Sequence, residues 1–344
     1  MNVRKDIPFD TLRLAFVGLA AVALLMAPAR RAAAKPATPN ATTSAADDEQ
    51  LRQTQTDHET KVLTLGAAGS LELKTVSGDV TVVAGSGRDV RIEITRRARG
   101  RTDEDARLGL QRVTVTVDQQ GDRAIVATQY PDNGRRNNNY SVDVTFNVTA
   151  PPGTRINAGS ISGNVRVENI KADVSMNVVS GNVTLVGAGT VADARTISGN
   201  VTVTDVAGES LTLGTVSGDI SIDRVTARRI EAETTSGTVR AAGVTTDRAT
   251  LRSLSGDVAY AGTIAKTGRY ELQSHSGNVS FDPAGSAGYD LQATTFSGTI
   301  SPPRGMTANS VSAGRTRAFH GTIGSGGASV SITTFSGDVR VGPR

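Results

Sequence analysis

A five-residue phrase recurs along this chain: a bulky residue, Ser-Gly, then Asn, Asp or Thr, then Val or Ile. It occurs once at residues 76–80, then as a train whose glycines are Gly163, Gly181, Gly199, Gly218, Gly237, Gly256, Gly277, Gly298, Gly321 and Gly337. The spacings are 18, 18, 19, 19, 19, 21, 21, 23 and 16 residues. Repeats of this length point to stacked units that bury their apolar faces against neighbours, rather than to a closed core.

Within a unit such as residues 200–218, Val201 and Val203 alternate with Thr202 and Thr204, and Leu211 and Leu213 alternate with Thr212 and Gly214. Two short period-2 segments with a bend between them read as two strands, and no 3.6-residue period survives in the train. Val216, Gly218, Ile220 and Ile222 share one parity, so the expectation is an alternation that runs through the glycine. That disfavours a two-residue hairpin at Gly-Asp and leaves a three-residue hairpin or a coil corner. A β-solenoid is the better fit: a single-stranded parallel β-helix with about 18–21 residues per coil and rungs spaced at ~4.8 Å, making a rod roughly 45 to 50 Å long.

Stacking would align Asn164, Asn182, Asn200, Asp219, Thr238, Asp257, Asn278 and Thr299 in one column. No two carboxylates adjoin there, and Asn amides can hydrogen-bond along a stack. The bulky position before Ser-Gly reads as an inward column: Ile161, Val179, Ile197, Val216, Thr235, Leu254, His275, Phe296, Phe319 and Phe335. Its aromatic end suggests a wider carboxyl-terminal core, with a ligand-binding stack as the alternative. His275 and His320 read as packing or surface positions.

The region before the train is less regular. Strand-like stretches lie at 90–95, 113–117, 124–128 and 142–148, and residues 131–140 form a polar loop. Residues 102–110 begin a short helix, with Thr102 as cap and Asp103, Glu104 and Asp105 in the first turn. Arg96, Arg97, Arg99 and Arg101 form a basic cluster beside those acids, read as a local charge pairing or a contact for anionic envelope polymer. The domain reading is therefore a signal peptide or signal anchor at 1–34, a disordered linker at 35–60, an irregular β region at 61–152, and solenoid repeats at 153–344.

The amino-terminal reading rests on Arg4 and Lys5, an apolar run at residues 14–27, and small residues around Ala27-Pro28-Ala29 and Ala32-Ala33-Ala34. The run is short for a membrane-spanning helix, although Arg30, Arg31 and Lys35 leave an uncleaved anchor open. Five of the 37 basic and two of the 33 acidic residues precede residue 35, so cleavage would reduce the net charge from +4 to +1. No basic field remains to attract nucleic acid. Residues 35–60 are rich in Ala, Thr and acids and read as a tether, with His58 solvated.

Zero Cys excludes thiolate zinc sites, disulfides and thiol nucleophiles. Three His, no Trp and few Tyr leave little for a metal centre or a sugar-processing cleft. The paired carboxylates of a glycosidase are not evident: Asp219 and Asp257 would stand two rungs apart, roughly 9.6 Å, just beyond the ~9.5 Å upper limit for an inverting pair.

The signal segment, the irregular strand region with one short helix, the Pro151-Pro152-Gly153 entry and the serial Thr-x-Ser-Gly-Asn/Asp-Val/Ile phrases resemble the bacterial adhesin-type β-strand-repeat family (domain of unknown function 4097) over about residues 61–344. The resemblance implies a β-helical fold and a periplasmic, cell-surface or extracellular location. It carries no catalytic motif, metal site or cofactor. The expected function is non-enzymatic and adhesin-like: outward columns of Ser, Thr and Asn that bind an envelope polymer or protein partner. A structural, self-associating scaffold and a polysaccharide-acting enzyme are the alternatives. End-to-end association would use the strand edge near Val341-Gly342-Pro343-Arg344. Membrane contact would come only through residues 14–27 if the signal is uncleaved.

Overall fold

The computed structural model describes residues 53–66, 68–131, 139–303, 306–313 and 316–342. The reading of residues 1–34 as a signal segment lies outside them. Among the described residues, no helix is long and apolar enough to cross a membrane.

The repeats form a single-stranded parallel β-helix. A typical rung has a long strand ending in the Ser of the phrase, Ala207–Ser217, and a short strand after it, Ile220–Asp223. Long strands pair in parallel with long strands, as Leu211 with Ala192 and Ile230, and short strands with short ones, as Ile220 with Val201 and Val239. Alternating Val, Ile and Leu fill the space between the two walls: Val201, Val203, Leu211, Leu213, Ile220 and Ile222 are all buried. Each rung closes its backbone bonds on the rungs above and below, so the core is extended along the rod and has no single centre.

The Ser-Gly step is a corner, but parity does not run through it. Leu211, Leu213 and Thr215 point inward before it; Ile220 and Ile222 point inward after it. Gly218 has φ +152, a conformation that side chains resist, and this residue resets the alternation. Val216 therefore points outward. The same holds at the other corners of the column expected to be inward, where Ile161, Leu254, Phe296 and Phe335 are 41%, 51%, 39% and 41% exposed, as is Val76 of the first phrase at 37%; Phe319, which lies at no corner, is buried as expected. The buried position is one residue earlier, where the chain places Thr75, Ser160, Thr196, Thr215, Thr234, Ser253, Ser274, Thr334 and Thr295.

Those buried hydroxyls explain the Thr of the phrase. Thr196 Oγ1 donates to the Gly181 carbonyl at 2.9 Å, Thr215 to Gly199 at 3.0 Å, Thr234 to Gly218 at 3.1 Å, and Ser253 to Gly237 at 2.8 Å. The glycine itself is required by proximity as well as by φ. A Cβ on Gly218 would lie 2.0 Å from the Gly199 carbonyl oxygen, and one on Gly181 would lie 2.2 Å from that of Gly163.

A second bend, invisible in the phrase, follows each short strand of the middle rungs. One residue there is left-handed: Asn169, Gly187, Asp205, Arg224 and Gly243, with φ between 51° and 65°.

Both ends depart from expectation. The first rung is Ser70–Ser77 with Val80–Ala84, which stacks directly beneath Arg155–Ser162 and Val165–Glu168. The solenoid thus begins within the region read as irregular, and residues 85–131 and 139–150 belong to an excursion that covers its amino-terminal end. In that excursion Tyr140–Ala150 lies beside Val80–Ala84, Val90–Gly100 beside Tyr140–Ala150, and Gln53–Leu63 outermost. Residues 53–60, read as linker, belong to that outer strand. Its backbone pairing needs no apolar residues, and Asp57 is held by Arg96. Helix Asp103–Arg112 opens with the expected Thr102 cap, completed as a capping box with Asp105, and buries Ala106 and Gly109. In the cationic cluster, Arg96 and Arg99 reach across strands, to Asp57 and to Asp143 at 2.8 Å.

At the other end, Gly321 is not a corner. It lies in Thr316–Ile323, which pairs antiparallel with Tyr289–Ser297 and with Thr307–Ala313. The final strand is not an edge either: Val339–Val341 lies between Val279–Ala284 and Ile300–Ser301. The stack of corner glycines thus runs Gly78, Gly163, Gly181, Gly199, Gly218, Gly237, Gly256, Gly277, Gly337, Gly298. The wider core does exist, built from Tyr260, Tyr270, Phe281 and Tyr289 with ring centroids 5.3–6.0 Å apart. Longer units there leave room for rings, and burial raises the hydroxyl pKa of each of these three tyrosines.

Candidate functional site: the Ser-Gly corner

The corner carries three parallel columns. The Asn/Asp column is a ladder of acceptors. Asp79 Oδ1 accepts the Asn164 backbone N–H at 2.7 Å, and Asn164, Asn182 and Asn200 each pass the bond to the next rung at 2.9 Å. Asp219 accepts from Thr238, Asp257 from Asn278, Asn278 from Asp338, and Asp338 from Thr299. Each bond is donated by a backbone N–H and accepted by a side-chain oxygen of the rung below, so Asn and Asp serve equally. Thr238 lacks that oxygen and interrupts the ladder. Asp219 and Asp257, expected to stand too far apart for a glycosidase pair, are both engaged in holding rungs together.

The Ser column, from Ser162 and Ser180 through Ser276, Ser336 and Ser297, is exposed. Beside it runs the outward bulky column, now ordered Val76, Ile161, Val179, Ile197, Val216, Thr235, Leu254, His275, Phe335, Phe296. Its last three members stack: His275 on Phe335 at 4.9 Å and 10°, Phe335 on Phe296 at 4.8 Å and 4°. His275 is therefore a surface ring in a ladder. His320 is exposed on the Thr316–Ile323 strand, opposite Gln292, and His58 is exposed with Nδ1 3.1 Å from Thr95 Oγ1.

In the phrase, Thr anchors, Gly permits contact, and Asn or Asp ties the next rung. The outward bulky residue has none of these tasks. Ten such side chains at ~4.8 Å spacing make a ridge about 43 Å long. Sequence reasoning missed this ridge because it placed the column inside; the buried Thr or Ser immediately before each bulky residue was the signal that could have corrected it.

At the amino-terminal end of the ridge an open cleft of about 360 Å³ is lined by Ser77, Asp79, Thr95, Arg97, Asp143 and Thr145, with the Gly78 and Gly163 corners. Asp143 is held there by the Ser77 hydroxyl at 2.5 Å and by Arg99. Nearby Tyr130 donates to the Val142 carbonyl at 2.8 Å. Burial, reinforced by the Asp143 charge, pushes its phenol up to about 12, so it serves as a donor and not as a base. On the adjoining strand the partial burial of Glu72 is outweighed by Lys74 at 2.6 Å and Arg123 at 3.0 Å, which hold its carboxyl below the usual range. These groups are paired for structure. Among the described residues, no cluster of His, Cys, Asp or Glu has the makings of a metal site.

No curated protein matches the chain. Among solved structures, a candidate lipid-binding protein from Parabacteroides distasonis aligns over 83% of this chain and 96% of its own, at 12% identity and a TM-score of 0.43. A candidate adhesin from Bacteroides fragilis aligns over 83% and 97%, at 12% identity and a TM-score of 0.40. A candidate cell adhesion protein from Clostridium sporogenes aligns over 84% and 100%, at 9% identity and a TM-score of 0.26. The family model described as Toastrack DUF4097 matches residues 68–342, from the strand of the first rung to the end of the inserted one, and the chain belongs to that family.

Proposed function

We propose that this chain is an exported, non-enzymatic, adhesin-like protein that binds an envelope polymer or protein partner along its Ser-Gly corner. The observation that carries the reading is the outward ridge: an in-register line of mostly apolar side chains, exposed or partly exposed, bordered by a column of exposed Ser residues. Contiguous exposed apolar surface of this kind marks interaction sites in folded proteins. The polar part of the surface is narrower than the sequence suggested. Asn and Asp oxygens are committed to the ladder, and the Ser column remains.

A long, regular and shallow surface suits an extended partner, held by many weak contacts, better than a compact ligand. The deciding experiment is retention of the full-length protein on purified peptidoglycan, envelope polysaccharide and membrane vesicles. Retention on one of these should fall at least tenfold in Ile161→Ser and Leu254→Ser, with the unfolding midpoint unchanged. Retention that these substitutions leave intact would sink the ridge as the site. Retention on none of the components would favour the structural scaffold, the second reading.

A further inference from the structure

The rung at residues 328–341 lies between two earlier ones. Ala328–Ser336 pairs in parallel with residues 269–276 on one side and with Tyr289–Ser297 on the other. Val339–Val341 likewise lies between Val279–Ala284 and Ile300–Ser301. The two flanking rungs form no ladder with each other along these strands, and residues 285–288 step across the gap between them. The chain thus builds a slot one rung wide and fills it with its last segment.

The slot is matched to its occupant. Thr334 donates to the Gly277 carbonyl at 3.0 Å, and Thr295 donates to the Gly337 carbonyl at 3.0 Å. Asp338 N–H donates to Asn278 Oδ1 at 2.9 Å, while Thr299 gives both its N–H and its hydroxyl to Asp338 Oδ1. Phe335 sits between the rings of His275 and Phe296. In the rungs below, that position is Val, Ile, Thr or Leu, so a rung inserted from elsewhere in the train would leave both flanking rings unstacked. The phrase Thr-Thr-Phe-Ser-Gly is spelled identically at 294–298 and 333–337.

On its amino-terminal side this rung is tied to the chain by a Gly-Ser-Gly-Gly loop at 324–327. Gly324, Gly326 and Gly327 have φ of +62°, +71° and +131°, and a Cβ on Gly324 would approach only the Gly288 Cα, at 3.5 Å. Almost everything that holds residues 328–342 is strand pairing and side-chain contact that any copy of the segment can supply.

We propose that residues 328–342 are an exchangeable rung, and that the slot accepts the same rung from a second copy of this chain, joining molecules by reciprocal exchange. Strand addition of this kind draws affinity from backbone bonds and register from side chains. Here the register comes from the Phe335 sandwich and the Asp338 bridge.

The absence of Cys makes the test direct. Arg269 and Ser329 are exposed register partners on adjacent strands, about 4.8 Å apart and within disulfide reach. Full-length chain carrying both Arg269→Cys and Ser329→Cys should close an internal disulfide. Full-length R269C and S329C chains, mixed, held just below the unfolding midpoint, cooled and oxidised, should yield a 269–329 linked heterodimer. Its amount should exceed at least tenfold that from R228C mixed with S329C, and should fall several-fold when the S329C chain also carries Phe335→Ala. The proposal is overturned if the double variant closes its bond while the mixture gives no more product than the control pair. Failure of the double variant to close would also overturn it, because the rung would then not occupy the slot.

Discussion

Each middle coil turns twice, and the two bends are built on different terms. At the Ser-Gly corner the glycine has φ near +146° to +152° and its neighbour's carbonyl lies where a Cβ would be, 2.0 Å away at Gly218. At the opposite bend the backbone is also left-handed, but the residues are Asn169, Gly187, Asp205, Arg224 and Gly243. A Cβ on Gly243 would meet nothing closer than the Arg224 nitrogen at 3.5 Å. Where rungs touch backbone to backbone, one residue type is possible and the sequence repeats. Where only a dihedral angle is demanded, several residues meet it, and the repeat disappears from view.

The sharpest way to break this contrast is a matched pair of substitutions. Gly218→Ala should cost at least about 3 kcal/mol, from steric overlap and a strained φ together, whereas Gly243→Asn should cost under about 1 kcal/mol. Urea unfolding of both would measure it, and equal losses would end the distinction. Next in size is the anchor within the corner. Thr215→Val keeps the volume but strands the Gly199 carbonyl, for an expected loss of about 1–3 kcal/mol. Val178 already occupies the equivalent place one rung above Gly163, so Val178→Thr should stabilise by up to about 1 kcal/mol. A third test repairs the ladder: Thr238→Asn supplies an acceptor for the Asp257 N–H and should add about 0.5–1 kcal/mol in thermal unfolding.

The smallest effect concerns charge. Asp338, at the corner, is held below its ordinary value of 3.8 by the Thr299 hydroxyl and N–H. Asp205, at the other bend, is lowered from the same value by the Arg224 guanidinium, bidentate at 2.7 and 3.0 Å. Any stability from either carboxylate is complete above about pH 4 and lost as acid titrates the depressed group. High salt should move Asp205 back towards its ordinary value and leave Asp338 nearly in place, because screening acts on the exposed ion pair more than on a hydrogen bond to a neutral partner. Side-chain NMR titration at low and high salt would read both; equal salt responses would remove the distinction.

Much of this architecture was legible in the residues. The Ser-Gly train, with Val201–Val203 and Leu211–Leu213 alternating on either side of a bend, implies a rung and a stack. The Thr102 cap with its acids implies the helix that forms. The direction of the bulky column was not legible, because alternation is a rule for extended backbone and the glycine is not extended. Reading parity through Gly218 moved Ile161, Leu254 and Phe335 from outside to inside, and with them the candidate site. Residues 53–60 were taken for linker because their polarity resembles a tether; an edge strand that draws its order from backbone pairing needs no apolar face.

The repeat unit, its period and the parallel stacking were determined by the sequence alone, because they depend on contacts between residues a rung apart that recur every 18 to 21 positions. The order of the rungs was decided only by the tertiary structure. Phrases spelled alike at 294–298 and 333–337 make equivalent local bonds wherever they stack, so spacing along the chain cannot rank them. Ring against ring and carboxylate against Thr299, contacts between residues brought together only by folding, place the last rung between two earlier ones.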